Sequence, residues 1–329
     1  MVPEGFDYEL TELHTHVGAA VSPEIMWSLA HSQGLKIKGK DYWSFVDSIT
    51  VRPGEVKGIS EYLDLFNITE LIQSSPEGME ESCRSIVGGA YRKNLITRLE
   101  LRFNPMLRNR GGERDLDHII SAALRGMELA MFEYPVKAGI LLMLDRSRFT
   151  LEQNGIIVDK AIKYKHKGVV GIDLGGPDSP KFKVEDYAEL YRRAKREGLG
   201  LTIHAGETDA SAREVPVVVE ELGVNRIGHG VKAVWDDAAL RLLRDKDVTL
   251  ELCPTSNLNT NVLHDVGELK KAVARLLEAE VKFTVNTDGP EMLLTSLRKE
   301  RSLLKREGIL DDDQLRQTED WARQACFVK

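Results

Sequence analysis

The alternation of short apolar runs with longer amphipathic segments is the feature that most constrains the fold of this chain. Eight runs rich in β-branched and aliphatic residues recur along it, and many end in a polar or glycine-rich cluster. In order, they are YELTELH, TRLELRFNP, KAGILLMLD, VVGIDLGG, LGLTIHAGE, NRIGHG, VTLELCPTSN and VKFTVNTDGP. Eight strands that alternate with helices are typical of a (β/α)8 barrel. The sequence therefore predicts an α/β fold, a TIM-like barrel.

The segments between several runs have the period of a helix. In VEDYAELYRRAKREG one apolar stripe is formed by Tyr187, Leu190, Tyr191 and Ala194, and Gly198 is suited to the end of a helix. Similar units, DDAALRLLRDKD and GELKKAVARLLEAE, follow the sixth and seventh runs. This repetition predicts parallel strands joined by right-handed crossovers.

The first connection is longer than the others. Residues 19–95 separate the first two runs and contain helical stretches such as SPEIMWSLAHSQG and SEYLDLFNITELIQ. A long insertion behind a barrel strand is usually a lid or a pocket wall, and a helical cap that only shields the core is the alternative. Because no linker or repeat divides the chain, we predict one hydrolase barrel domain over residues 1–329 with this insertion after the first strand.

Composition and charge narrow the class of protein. With 42% hydrophobic and 29% charged residues, the 329-residue chain is typical of a globular protein with one large core. The net charge of -7 argues against a nucleic-acid partner, because such proteins usually carry a basic patch. The longest apolar run, AGILLML, is too short to cross a bilayer, so we expect no membrane partner. The odd count of 3 cysteines indicates no disulfide framework, and we expect a cytoplasmic protein.

Two histidines stand one residue apart at the end of the first run, in TELHTHVG. Successive side chains of a strand point to opposite faces, so His14 and His16 project the same way and can converge on one point. An isolated pair of this kind is more often solvated. Further polar residues follow other runs, however: His204 and Glu207 the fifth, His229 the sixth and Asp288 the eighth.

The carboxyl ends of barrel strands carry the active site of such folds, so these side chains are expected to meet. Three imidazoles and a carboxylate suit zinc or another divalent first-row metal, and an open coordination position leaves room for water. A bound water can ionise near pH 7, against about 15.7 in bulk water. A carboxylate and an imidazole remain for proton transfer, namely Glu207 and His229.

The chain resembles the adenosine deaminases of the metal-dependent amidohydrolase superfamily. The resemblance rests on ELHTH, GIDLGG, HAGE, RIGHG, LELCPTSN and NTDGP, which occur in the order of the family and cover nearly the whole chain. It implies a TIM-like barrel, one divalent metal ion, usually Zn²⁺, and hydrolytic deamination of a 6-aminopurine with release of ammonia.

The resemblance also implies a role for each matched residue. The metal ligands would be His14, His16, His204 and Asp288. Glu207 would place a proton on the purine ring nitrogen next to the reacting carbon, and His229 would position and deprotonate the metal-bound water. The backbone of Gly176 would approach the other edge of the purine, where a glycine leaves space for close approach.

Other residues near these motifs carry weaker expectations. Asp173 and Asn286 are either supporting residues of the site or structural ones. Core packing is the better interpretation of Leu63, Leu65 and Phe66, with covering of the base as the alternative. Arg102, in LELRFNP, is expected to be a buried barrel charge with a partner and no catalytic role.

Two positions depart from the family pattern. Gly18 stands where the family usually has an acidic residue that meets the ribose 5′-hydroxyl, and Gly289 stands where a second aspartate usually hydrogen-bonds the purine. The metal and proton-transfer residues are therefore complete, whereas the set that recognises adenosine is not. The absence of a side chain at Gly18 is expected to make room for a substituent on the substrate.

The leading hypothesis is a metal-dependent deaminase of a 6-aminopurine nucleoside, adenosine or a derivative of it. The same machinery could act instead on adenine, on a 5′-modified adenosine such as aminodeoxyfutalosine, or on another aminated heterocycle. A non-catalytic purine-binding barrel is the alternative from a different class. A barrel without catalysis has no physical need for the six metal and proton-transfer residues together.

Overall fold

The computed structural model describes residues 8–37, 39, 41–56, 58–109 and 114–329. Within them, nine strand segments pair in parallel in two sheets, β1 to β5 and β6 to β9, each in chain order. The segments are β1 (Leu10–His16), β2 (Ile96–Phe103), β3 (Lys137–Asp145), β4 (Val169–Gly175), β5 (Gly200–Leu201), β6 (His204–Ala205), β7 (Arg226–His229), β8 (Thr249–Leu252) and β9 (Phe283–Val285).

The two shortest segments, β5 and β6, are parts of one barrel strand interrupted at Thr202 and Ile203. Across the interruption, the N–H of Thr202 still donates to the carbonyl oxygen of Ile172 in β4 at 3.1 Å. On the other side, the N–H of Gly228 in β7 donates to the carbonyl of Ile203 at 2.8 Å. The nine segments therefore correspond to the eight runs of the sequence.

Backbone hydrogen bonds also join the first strand to the chain that follows the last. The N–H of His16 donates to the carbonyl of Asp288 at 2.8 Å, and the N–H of Asp288 donates to the carbonyl of His14 at 2.9 Å. The predicted α/β barrel fold is confirmed. This junction also brings two predicted metal ligands of β1 beside Asp288.

Helices fill the connections between the strands. They are α1 (Val17–Ala20), α2 (Pro23–Ser32), α3 (Tyr42–Ile49), α4 (Ile59–Ile72), α5 (Pro76–Asn94), α6 (Leu116–Glu133), α7 (Leu151–Tyr164), α8 (Ala188–Arg196), α9 (Asp209–Ala212), α10 (Val215–Val217), α11 (Asp237–Asp245), α12 (Pro254–Asn259), α13 (Val266–Glu278), α14 (Leu297–Arg306) and α15 (Asp312–Ala325). Single turns of 3₁₀ helix lie at Pro105–Arg108, Lys165–Lys167, Val184–Tyr187 and Ala233–Trp235, and a π-helical turn at Val218–Leu222. In the described part of the chain, no helix has the length and apolar character needed to cross a membrane.

The helix α8 illustrates how the sequence pattern becomes structure. Of its predicted apolar stripe, Tyr191 and Ala194 are fully buried and Leu190 is partly buried, and a 3₁₀ turn precedes the helix. Gly198 follows with φ of +80°, a left-handed conformation that favours glycine after a helix end. Burial of one face and a glycine stop together account for the limits of this helix.

The long first connection contains α1 to α5. Its last helix, α5, packs against α6 and β2, as a crossover helix of the barrel does. The helix α4 packs against α1, which begins directly after β1, and it contributes Tyr62, Leu63 and Phe66 to the wall of a cavity at the carboxyl end of the barrel. The insertion therefore forms a pocket wall, one of the two expected functions.

Candidate metal and catalytic site

His14 is fully buried inside the barrel and is held from behind. Its Nδ1 lies 2.6 Å from Oε2 of Glu251 in β8. The other ring nitrogen, Nε2, is buried and has no hydrogen-bond partner among the described residues. A buried polar atom without a partner is costly, and a histidine held through one nitrogen is typical of a metal ligand that binds through the other.

The free nitrogen of His14 faces three further predicted ligands. His16 Nε2 lies 3.2 Å from His204 Nε2 and 3.2 Å from Asp288 Oδ1, and His14 Nε2 lies 3.8 Å from the same Oδ1. Nitrogen atoms of the three histidines all lie within 4.8 Å of one another. Two ligands about 2.1 Å from a tetrahedral zinc ion are roughly 3.4 Å apart, so the residues present fit such an ion.

The protonation states of His14 and His16 suit the same purpose, whereas Asp173 raises the pKa of His204 against the effect of burial. Burial lowers the pKa of His14 and of His16 well below the ordinary value, which keeps both imidazoles neutral. Neutral imidazole is the form that binds a metal. Cys253 also lies near His14, but burial raises the pKa of its thiol well above the ordinary value and so disfavours a thiolate ligand.

Two buried carboxylates and one arginine form a layer beneath the histidines. Asp173 Oδ2 lies 3.1 Å from His204 Nδ1, as Glu251 lies beside His14. Arg102 joins the two carboxylates: its Nη1 lies 2.9 Å from Asp173 and its Nη2 lies 2.8 Å from Glu251. Arg102 is thus the buried, partnered charge that the sequence predicts, and Asp173 supports the site.

This layer keeps both carboxylates ionised. Burial alone would raise the pKa of Glu251, but Arg102 and Arg226 outweigh it and lower the pKa to about 2. Asp173 behaves in the same way, since His204 and Arg102 overcome its burial and hold its pKa below the ordinary range. Ionised carboxylates accept the Nδ1–H bonds that leave each Nε2 available.

Asp288 and His229 have a strained backbone conformation. Both have φ of +61°, which non-glycine residues rarely adopt. Their side chains are held by the start of α12, where Ser256 Oγ donates to Asp288 Oδ2 at 2.6 Å and the Asn257 amide lies 3.0 Å from His229 Nδ1. The strain is therefore supported by side-chain hydrogen bonds, as is common at functional sites.

Glu207 and His229 lie side by side at the cavity. Glu207 Oε1 is 3.5 Å from His229 Nε2, and the Glu207 side chain keeps 17% of its surface exposed. Burial raises the pKa of Glu207 and lowers the pKa of His229 to about 4. A carboxyl group that keeps its proton more readily and a neutral imidazole are suited to acid and base roles.

The same cavity is lined by residues that the sequence predicts to contact the substrate. Gly176 lines it with φ of +93°, and a Cβ there would lie 2.7 Å from Oδ2 of Asp145. Leu63 and Phe66 line the cavity too, whereas Leu65 packs behind it. Asn286 is structural, because its Oδ1 accepts a hydrogen bond from the Leu13 backbone at 3.1 Å.

The expectation that Gly18 leaves room for a substituent is wrong. Gly18 lies in α1, and a Cβ added there would be 2.8 Å from Cδ1 of Phe66 and 3.2 Å from Nη2 of Arg108. Phe66 comes from α4, so the inserted helices fill the volume that an acidic side chain would need. A side chain at this position would have to displace Phe66.

Gly289 is enclosed in a similar way by α4. A Cβ on Gly289 would lie 2.6 Å from Oη of Tyr62 and 2.7 Å from Cβ of Ala19. The tyrosine hydroxyl therefore occupies the space that a second aspartate would enter.

Several residues of this site had no role predicted from the sequence. Glu251, Ser256 and Asn257 all belong to the motif LELCPTSN, which carried the resemblance but received no function. Alternation along β8 could have placed Glu251 inside the barrel. Tyr62 gave no signal in the sequence, because its position depends on how α4 packs over the barrel.

Comparison with known proteins agrees with this geometry. The chain matches the adenosine deaminase family model over residues 10–329. An adenosine deaminase from Shewanella woodyi is 30% identical over 291 residues, which are 88% of this chain and 85% of that protein.

Solved structures with a similar fold include three deaminases or amidohydrolases. An adenine deaminase from Arthrobacter aurescens has a TM-score of 0.85 and 19% identity, covering 97% of this chain and 94% of that one. The N6-mAMP deaminase of Arabidopsis has a TM-score of 0.80 and 22% identity, with coverage of 98% and 94%. An amidohydrolase from Burkholderia ambifaria with bound Zn has a TM-score of 0.83 and 19% identity, with coverage of 100% and 91%.

At these identities the structural likeness shows the fold, a barrel shared with deaminases. The sequence match extends over nearly the whole chain and includes every strand of the barrel. The chain therefore belongs to the adenosine deaminase family of hydrolases, which act on C–N bonds.

Proposed function

We propose that this protein is a metal-dependent hydrolytic deaminase that converts a 6-aminopurine nucleoside, adenosine or a derivative, to the 6-oxo product and ammonia. The observation that carries the proposal is the convergence of four potential ligands, three of which line one cavity together with Glu207 and His229. Family membership supports the reaction class, and the substrate class, a 6-aminopurine nucleoside, is the part that the proposal adds.

The residues that would hold the cation are His14, His16, His204 and Asp288. The unpartnered Nε2 of buried His14 supports this assignment, as does the 3.2 Å spacing of His16 from two of the others. When bound, a Zn²⁺ ion supplies a Lewis acid that brings the pKa of a coordinated water to about 7. Glu251 and Asp173 orient His14 and His204 through their Nδ1 atoms.

Two residues move protons in the proposed reaction. Glu207 donates a proton to the ring nitrogen next to the amino-bearing carbon, which makes that carbon easier to attack. His229 accepts a proton from the attacking water, and its lowered pKa keeps the imidazole neutral for this purpose. The amide nitrogen of Asn257 lies 3.0 Å from His229 Nδ1, and the base role requires the amide to be turned so that its oxygen accepts from Nδ1–H and Nε2 keeps its lone pair. His229 then gives its proton to the departing amino group, the C–N bond breaks to release ammonia, and the proton of the added hydroxyl returns to Glu207 as the 6-oxo group forms.

Substrate contacts in the proposal come from the cavity wall. The Gly176 backbone meets the other edge of the purine, and Leu63 and Phe66 cover the base. The same residues could also deaminate adenine, a 5′-modified adenosine such as aminodeoxyfutalosine, or another aminated heterocycle. The experiment must therefore compare these substrates.

A substrate panel tests the proposal. The purified zinc-loaded protein is incubated with adenosine, adenine, adenosine 5′-derivatives and aminated pterins, and ammonia release is measured, with Glu207→Gln as the matched control. We expect the highest kcat/KM for a 6-aminopurine and a large loss in the control. Ammonia release from no 6-aminopurine, or equal release by the control, would contradict the proposal.

A further inference from the structure

The side chain of Tyr62 occupies the position from which the family's second aspartate would act. Its hydroxyl oxygen lies 2.6 Å from the Cβ position of Gly289, so no side chain can be present there without moving it. The Tyr62 ring is fixed by edge-on packing on Phe66, with ring centroids 5.5 Å apart. The packing of α4 over the barrel therefore places the Tyr62 oxygen beside Asp288, one of the proposed metal ligands.

The hydroxyl of Tyr62 is buried, lines the cavity and lies beside the Asp288 carboxylate, with which it interacts without a well-aligned hydrogen bond. The nearby carboxylate of Asp288 has other contacts, since Ser256 donates to Oδ2 at 2.6 Å and His16 lies 3.2 Å from Oδ1. A buried hydroxyl that faces a cavity, beside a carboxylate whose oxygens have other partners, is placed to donate to an acceptor on a bound ligand.

The position of Tyr62 around the barrel indicates which acceptor it meets. Glu207 follows β6 and Gly289 follows β9, so these two positions flank the metal ligands from different sides of the barrel. In a 6-aminopurine, the two ring nitrogens nearest the reacting carbon also lie on its two sides. With Glu207 at the six-membered ring nitrogen, a donor beside Gly289 faces N7, which is a hydrogen-bond acceptor.

We infer that Tyr62 is a specificity-determining residue whose hydroxyl donates a hydrogen bond to N7 of the bound purine, in place of the aspartate that is absent at Gly289. This inference rests on the proposed function, and it goes beyond it by naming the residue that recognises the imidazole edge of the base. A residue of the inserted helix α4 thus supplies the donor on this side of the cavity.

The experiment compares two non-reacting ligands on two proteins. Competitive inhibition constants are measured for the 6-oxo product of the best substrate and for its 7-deaza counterpart, in which CH replaces N7, with the wild-type protein and with Tyr62→Phe. We expect the wild type to bind the N7 compound about tenfold or more tightly than the 7-deaza compound, because the latter leaves the donor unpaired. In Tyr62→Phe the ratio should fall to near one.

Two controls separate recognition from folding. Tyr187→Phe removes a buried hydroxyl that bonds Asn154 at 3.1 Å, outside the cavity, and should keep the wild-type ratio. Gly289→Ala adds a Cβ against the Tyr62 hydroxyl and should lower the ratio if Tyr62→Phe does not fold.

The possible results are distinct. An unchanged ratio in Tyr62→Phe, equal weakening of both ligands, or a wild-type ratio near one would overturn the role of Tyr62 while ammonia release by the wild type still stands. Absence of deamination of every 6-aminopurine would overturn the proposed function and this inference together.

Discussion

Arg102 and His14 share one carboxylate oxygen. Oε2 of Glu251 lies 2.8 Å from Arg102 Nη2 and 2.6 Å from His14 Nδ1. The arginine therefore fixes the charge and the orientation of the carboxylate that orients His14. Because Arg102 also bonds Asp173 behind His204, one buried cation supports two of the proposed ligands. This arrangement makes the layer beneath the histidines testable through metal affinity.

Glu251→Gln should weaken metal binding without removing a proposed ligand. The amide keeps the shape of the side chain but loses the charge that holds His14 Nδ1–H, and loss of such support typically costs about 10–100-fold in affinity. Competition with a chelator of known affinity measures the change. The matched control is Glu189→Gln, an exposed carboxylate on α8. Equal affinity of Glu251→Gln and the wild type would show that the layer does not orient the ligands.

Glu207→Gln should keep the metal and lose the rate. An amide of the same size cannot deliver a proton, and general acid catalysis is typically worth about 10²–10⁴. The measurements are kcat with the best substrate and the zinc content of the same preparation. Near-normal turnover at full zinc content would remove Glu207 from the mechanism.

Gly18→Asp should destabilise the protein and should not create a preference for adenosine. The new Cβ would lie 2.8 Å from the Phe66 ring, and overpacking of this kind typically costs about 1–3 kcal/mol. Gly89→Asp is the matched control, since it adds the same side chain to a helical glycine with open space around it. Unfolding in denaturant compares the two. Equal stability of both variants would show that α4 yields readily at Gly18.

The contribution of Glu300 to stability should be lost as the pH rises from 5 to above 7. Burial raises the pKa of this carboxyl from 4.5 to about 7, so the folded state keeps a proton that the unfolded chain has released. Glu300→Gln mimics the protonated group and should reduce the loss of unfolding free energy across this range by about 2 kcal/mol. Glu12, whose pKa burial raises to about 8, remains in both proteins. Parallel pH curves for wild type and variant would contradict the assignment.

The strands, and the proximity of the proposed ligands, could be predicted from the sequence because buried parallel strands are continuous apolar runs and their carboxyl ends meet. His14 and His16 share a face by simple alternation. The role of Glu251 was harder to predict, because its partners come from three other strands. They are Arg102, His14 and Arg226. A charged residue within an apolar run can be predicted to be buried, but its hydrogen-bond partners cannot be predicted from the run.

The volumes at Gly18 and Gly289 could not be predicted, and one expectation about them was wrong. A glycine in the sequence shows only the absence of a side chain at that position. Whether the space is open depends on Phe66 and Tyr62, which reach it from α4. Packing of an inserted helix over a barrel is a tertiary contact that local pattern does not encode.

Zinc titration of the metal-stripped protein tests the central claim most directly. Ammonia release from the best 6-aminopurine is measured while zinc is added to protein prepared with a chelator and dialysed. The convergence of His14, His16, His204 and Asp288 on one position predicts negligible rate without metal and a plateau at one zinc ion per chain. Full activity in the stripped protein, or a rate that does not respond to any added divalent ion, would contradict the account.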